Sequence, residues 1–169
     1  MLNKRIFVAC DTTDISKVKR IIRHTKTRKL SIGYKFGLEF INSKNGRKFV
    51  SKLKNKIIFL DLKLNDIPNT CASTVKAIKD LKVNYLTVHI SAGLEALKAV
   101  KRVSRKIKIL GVSTLTSFNN KKLKQTGHTR NVKNLVTYQA RLALKANLDG
   151  LVCSAHEAPY VKKVFKKEI

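Results

Sequence analysis

The sequence predicts an α/β fold of the (β/α)8 TIM-barrel type, incomplete, with about six βα units, and three observations predict it. Short β-branched or apolar runs alternate with segments of helical period to the end of the chain, the pattern of βα units wound into a parallel sheet. No Gly/Ser linker or low-complexity tract interrupts that alternation, so residues 1–169 read as a single domain with one core. Polar residues able to do chemistry recur at the C-terminal ends of several strands, where barrel enzymes build their sites: Asp11, Lys35, Asp61 with Lys63, His89 and the run from Ser113 to Ser117. The first two observations fit an open doubly wound sheet equally well, and the third favours the barrel. The first strand-to-helix turn, Cys10-Asp11-Thr12-Thr13-Asp14, also lacks the GxGxxG of a dinucleotide fold, and no GxxxxGK[ST] occurs.

Taken in order, the strand-like runs are Arg5 to Cys10, Leu30 to Phe36, Lys56 to Lys63, Asn84 to Ile90, Lys106 to Ser113 and Asp149 to Cys153. Between them, apolar residues recur at three and four: Ile15, Val18 and Ile22 line one helix face, Cys71, Val75 and Ile78 the next clear one, and Val161, Val164 and Phe165 the last. Pro68 and Pro159 fall near helix starts, where a missing N–H costs little. Gln125 to Asn131 reads as a polar loop over the mouth, His128 as a loop residue and His156 as a helix-start residue.

The composition excludes some classes. No run approaches the roughly 20 apolar residues of a membrane span, and Met1-Leu2-Asn3-Lys4-Arg5 leads into a strand, not a signal-peptide core. A soluble, cytoplasmic protein is expected. Cys10, Cys71 and Cys153 are far apart without CxxC spacing, which predicts buried core thiols and neither disulfides nor a metal site. The net charge of +27 attracts anions of every kind, but the lysines are spread over nearly every segment instead of forming a stripe with aromatic residues between them. Solvated helix faces are therefore expected and nucleic acid is not, with a basic polyanion-binding protein as an alternative.

The informative stretch is Phe59-Leu60-Asp61-Leu62-Lys63-Leu64-Asn65-Asp66-Ile67-Pro68-Asn69-Thr70. Alternation along a strand puts Asp61 and Lys63 on one face, and Asp66 follows within a turn. Lys35, ending the preceding strand, sits beside Asp61 if neighbouring strands pair in order. Taken singly, Asp66 reads as a helix cap and Lys35–Asp61 as an ordinary ion pair. Four converging charges at a sheet mouth are costly unless paired or used, which favours a site. His89 reads equally as a site residue or a satisfied core histidine, and Ser154, with no base at hand, is not a nucleophile.

Asp-x-Lys-x-x-Asp-Ile-Pro-Asn-Thr, Asp61 to Thr70, resembles the signature of the orotidine 5′-monophosphate decarboxylases. Val8-Ala9-Cys10-Asp11, Tyr34-Lys35-Phe36-Gly37, Val83 to His89, Leu115-Thr116-Ser117 and Gly150-Leu151-Val152-Cys153-Ser154-Ala155 are similar to further strands of that family. A bare DxKxxD is shared with related sugar-phosphate decarboxylases, which stand as an alternative; the Ile-Pro-Asn-Thr extension favours the orotidylate branch. The resemblance implies a lyase of pyrimidine and UMP biosynthesis that needs no cofactor and no metal. In it Lys63 gives a proton to C6 of the pyrimidine, Asp61 and Asp66 flank Lys63, and Lys35 holds Asp61 and a ribose hydroxyl. Asp11 binds ribose and Thr116 lies near the substrate. The enzyme is expected to be a homodimer, with Asp66, Ile67 and Thr70 reaching across the interface. The family's seventh and eighth strands and their phosphate grip have no match before Ile169. A C-terminally truncated member is expected, with turnover lowered along with affinity or abolished, since phosphate binding energy is used at the reacting centre.

Overall fold

A computed structural model describes residues 5–165, so the opening Met1-Leu2-Asn3-Lys4 and the closing Lys166-Lys167-Glu168-Ile169 lie outside the described residues. Six strands alternate with helices: β1 Arg5–Ala9, α1 Ile15–His24, β2 Ser31–Gly37, α2 Leu38–Asn42, α3 Gly46–Ser51, β3 Ile57–Leu64, α4 Pro68–Ala77, β4 Tyr85–His89, α5 Gly93–Ser104, β5 Lys108–Val112, α6 Asn120–Gln125, α7 Val132–Lys145, β6 Gly150–Val152 and α8 Ala158–Phe165. Short 3₁₀ turns, Lys79–Leu81 and Ile90–Ala92, flank β4. Every strand expected from the sequence is present within two residues of its expected ends.

The strands follow one another in the sheet in chain order, β1-β2-β3-β4-β5-β6. A doubly wound sheet reverses its order at a switch point, so this order is that of the (β/α)8 barrel, six units of which are here. Among the described residues no helix is long and apolar enough to cross a membrane.

The chain divides into two compact units, residues up to 62 with 76–86, and 63–75 with 87 onwards. In the first, β1, β2 and β3 pair in parallel, with Val8 opposite Tyr34, Ala9 opposite Lys35 and Gly37 opposite Asp61. Phe7, Phe59 and Tyr85 pack edge to face, with Phe7 5.0 Å from each of the other two. Gly33 makes room for them, since a Cβ there would come within 2.6 Å of the Phe7 ring. On α2 and α3, Phe40 and Phe49 close on Phe36, with centroids 4.9 Å and 6.5 Å from it. Burial of such a ring stabilises by about 1.5–3 kcal/mol. The turn between α2 and α3 is tight enough that a Cβ on Gly46 would meet the Phe40 carbonyl oxygen at 1.7 Å.

In the second unit, β5 and β6 pair in parallel, Leu110 opposite Gly150 and Val112 opposite Val152. Asp149 fastens the start of β6: its Oδ2 accepts from the Ile109 N–H at 2.7 Å and pairs with Lys101 of α5 at 2.5 Å. Val88, Ile90, Leu97, Val100, Ile109 and Val136 form the buried core here, joined by Ala140 and Ala143 of α7.

Side-chain caps start three helices. Asp14 accepts from Ser16 and Lys17 ahead of α1, Asn119 from Lys122 ahead of α6, and Asn131 from Asn134 ahead of α7. Pro68 opens α4, and Pro159 is the second residue of α8. All three cysteines are free thiols; Cys10 and Cys71 are buried, while Cys153, expected in the core, is only half-buried.

Candidate active site

In the first unit, the register that sets β2 between β1 and β3 brings three charged side chains together. Lys35 Nζ stands 3.4 Å from Asp11 Oδ1 and 3.4 Å from Asp61 Oδ2. Asp61 is among the few buried charged residues, and Lys35 is three-quarters buried, so this pair is largely withdrawn from water. A buried carboxylate is tolerated only when compensated, and Lys35 supplies that compensation while holding Asp11 from its other side. Beside them, the Cys10 thiol is pushed up to about 11 by burial first and by the Asp11 charge second, so it stays protonated near neutrality and is no nucleophile.

In the second unit, Lys63 departs from the expected strand geometry. Its φ is +49°, and among the described residues it alone combines positive φ with a place inside a strand. The alternation that put Asp61 and Lys63 on one face assumes extended backbone, so it does not apply at Lys63. A side chain other than glycine pays about 1–3 kcal/mol for such a conformation, and such residues cluster at functional sites. Thr87 of β4, fully buried, secures it: the Lys63 N–H donates to Thr87 Oγ1 at 2.8 Å. Sequence reasoning missed Thr87. Its signal was a hydroxyl in the middle of the apolar run Tyr85-Leu86-Thr87-Val88.

His89 ends β4 half-buried and is held below its ordinary range by burial and by the charge of Lys63. Its Nδ1 shares a hydrogen bond with Ser91 Oγ at 3.3 Å, and Ser91 Oγ donates to Asn65 Oδ1 at 3.3 Å. His89 is therefore a polar neighbour of Lys63 and not simply a core residue.

Asp66 is exposed, and its Oδ1 accepts from the adjacent Ile67 N–H at 2.7 Å. The Ile67 carbonyl accepts the first helical bond of α4, from Cys71 at 3.1 Å. Ile67 is thus the N-cap, and Asp66 stands one residue outside it, so the expectation that Asp66 merely caps α4 is not met. Ile67 is 66% exposed and Thr70 is exposed too.

Thr116 lies exposed in the turn after β5 and lines a cavity of about 490 Å³ with Phe118, Ser154 and His156. The segment entering that turn is anchored by another residue sequence reasoning passed over: buried Gln139 of α7 accepts through Oε1 from the Thr114 N–H at 2.9 Å and its hydroxyl at 3.2 Å. The Ser154 N–H donates to Glu157 Oε2 at 3.0 Å, a turn closure ahead of α8. The polar loop expected over Gln125 to Asn131 starts one residue later, since Gln125 ends α6; residues 126–131 form no regular element, and His128 within them is exposed. Among the described residues no group of three or more His, Cys, Asp or Glu could hold a metal ion.

Residues 4–169 match the model of the Orotidine 5′-phosphate decarboxylase / HUMPS family. A relative from Wolbachia pipientis subsp. Culex pipiens (strain wPip), named Orotidine 5′-phosphate decarboxylase, is 43% identical over 96% of this chain and 73% of its own length. One of the same name from Wolbachia sp. subsp. Brugia malayi (strain TRS) is 45% identical over 92% of this chain and 70% of its own. Among solved structures, the crystal structure of Orotidine 5′-phosphate decarboxylase from Lactobacillus acidophilus superposes with a TM-score of 0.85 at 27% identity, covering 95% of this chain and 75% of that one.

Proposed function

The chain belongs to the Orotidine 5′-phosphate decarboxylase / HUMPS family, and from that membership we propose that it converts orotidine 5′-monophosphate to uridine 5′-monophosphate and CO₂, with Lys63 as the proton donor. The reaction is a step of pyrimidine biosynthesis, and residues 1–169 serve it as one domain. Two observations support the site assignment, each within its own unit: Lys35 stands between the carboxylates of Asp11 and Asp61, and Lys63 has a strained backbone secured by Thr87.

The bond from C6 to the carboxylate breaks and leaves its electron pair on C6, in a ring that cannot delocalise it. The Lys63 ammonium stabilises that charge as it develops and then transfers a proton to the same carbon, recovering one from water. The carboxylate of Asp61, close to the leaving carboxylate, raises the energy of the bound substrate. Lys35 orients Asp61 and reaches a ribose hydroxyl; Asp11 takes another, and Thr116 lies by the substrate. No step calls for a metal or cofactor. Exposed Asp66, Ile67 and Thr70 serve a second copy of the chain, reaching across a homodimer interface. The relatives' names favour this reading over a sugar-phosphate decarboxylase sharing DxKxxD.

The test is the ultraviolet absorbance change of orotidine 5′-monophosphate with the purified chain beside Lys63→Ala. Turnover by the parent that falls about a thousandfold or more in the variant supports the assignment. A folded parent without turnover, or a variant as active as the parent, overturns it.

A further inference from the structure

The lysines are dispersed along the chain, yet folding gathers several on one groove of the second unit. α7 and α8 enclose a cleft of about 820 Å³ whose lining includes Lys133, Thr137, Arg141, Lys145, Tyr160 and Lys163, and none of its lining residues is acidic. Residues 133, 137, 141 and 145 recur every four positions and so form one stripe along α7. At 1.5 Å per residue this stripe runs for about 18 Å, and its three cations are exposed, as is Lys163 opposite them on α8. The opposite face of α7, with Leu135, Val136, Gln139, Ala140 and Ala143, is buried, so the stripe is the surface this helix presents to solvent.

Aromatic rings accompany these charges. Tyr160 lies half-buried in the cleft with the Lys133 ammonium 4.7 Å from its ring centroid; Tyr138 of α7, which does not line the cleft, has the guanidinium of Arg130, from the loop before α7, 4.3 Å from its ring. A cationic track with flat rings beside it fits a chain of regularly spaced phosphates that carries stacking bases. The stripe's length of about 18 Å suits a few nucleotides of extended strand.

We infer that the groove between α7 and α8 binds the backbone of a single-stranded polynucleotide, with Arg141, Lys145, Lys163 and Lys133 on the phosphates and Tyr160 against a base. None of these residues is assigned to the decarboxylase reaction, although Lys133 and Tyr160 also line the cavity beside Thr116.

The measurement is fluorescence anisotropy of a labelled single-stranded oligonucleotide over a range of salt concentrations. A groove variant carrying Arg141→Gln, Lys145→Gln and Lys163→Gln is compared with a variant of equal charge loss elsewhere, Lys19→Gln, Lys48→Gln and Lys52→Gln, on the face between α1 and α3. The substituted cations are all exposed, and circular dichroism checks that both variants fold. Expected is a loss of about tenfold or more in the groove variant, with the slope of log affinity against log salt reduced by about two to three, and little change in the other. Equal losses in the two variants overturn the inference, because net charge would then account for all binding. Tyr160→Leu is expected to weaken binding about fivefold or more. If it does not, and inorganic polyphosphate displaces the oligonucleotide as well as unlabelled strand does, the polynucleotide assignment fails.

Discussion

Lys63 shows how a single residue can be legible in its chemistry and illegible in its geometry. Its spacing from Asp61 and Asp66 marks it as an acid among carboxylates, but lysine carries no propensity for positive φ, so nothing in the sequence announces the +49° backbone. Thr87 and Gln139 escaped for a related reason: each accepts from a backbone N–H far along the chain, and such pairings have no local pattern. His89 gives a direct probe of this neighbourhood. Burial and Lys63 lower its midpoint from 6.5, so folding favours the neutral ring. The stability this contributes is present above that ordinary midpoint and is lost as pH falls through the lower folded one. A proton NMR titration is expected to place the His89 midpoint below 6.5 and to move it upward, without full recovery, in Lys63→Ala, since burial remains. An unchanged midpoint in that variant would refute the proximity of the two charges.

Among the elements, the strands were readable because β-branched and apolar runs bounded by polar turns have few other uses. Of the helices, α1, α4 and α8 were read from their apolar faces, while α5 and α7, 12 and 14 residues long, were not singled out. α2 and α3 were not singled out: they are five and six residues long, below the length at which a period declares itself. Tertiary contact makes them helical, through Phe36, Phe40 and Phe49 packed about a turn that only glycine at 46 permits. Gly46→Ala would drive a methyl group into the Phe40 carbonyl. It is expected to cost about 3 kcal/mol, read as a lower urea midpoint with a near-parental slope. Gly33→Ala meets side chains, the edge of the Phe7 ring at 2.6 Å and Ile57 Cγ2 at 3.2 Å, which give way more readily than a backbone carbonyl, so its cost should be the smaller of the two.

At the scale of the whole molecule, the fold class and its six units were predictable from alternation and from the polar strand ends together, neither being sufficient alone. Surface organisation was not: a chain with 37 basic and 10 acidic residues looks uniformly charged in one dimension, and only folding gathers its cations into faces such as the stripe on α7 and the one between α1 and α3. Assembly is the other property of this scale. Ile67, 66% exposed beside Asp66 and Thr70, is costly to leave in water and well placed as an interface anchor. The parent chain is expected to sediment as a dimer, and Ile67→Arg to raise its dissociation constant about tenfold or more; a variant as dimeric as the parent would remove this residue from the interface.

The strand order has a consequence for how such a chain is made. Because every strand's neighbours in the sheet are also its neighbours in sequence, each pairing closes a loop of only one helical crossover, at a modest entropic cost. β2 can therefore settle on β1 before β3 has been synthesised, and so on down the chain. For the pairings among β1 to β6, a ribosome releasing residues one by one delivers the partners in the order in which they are needed.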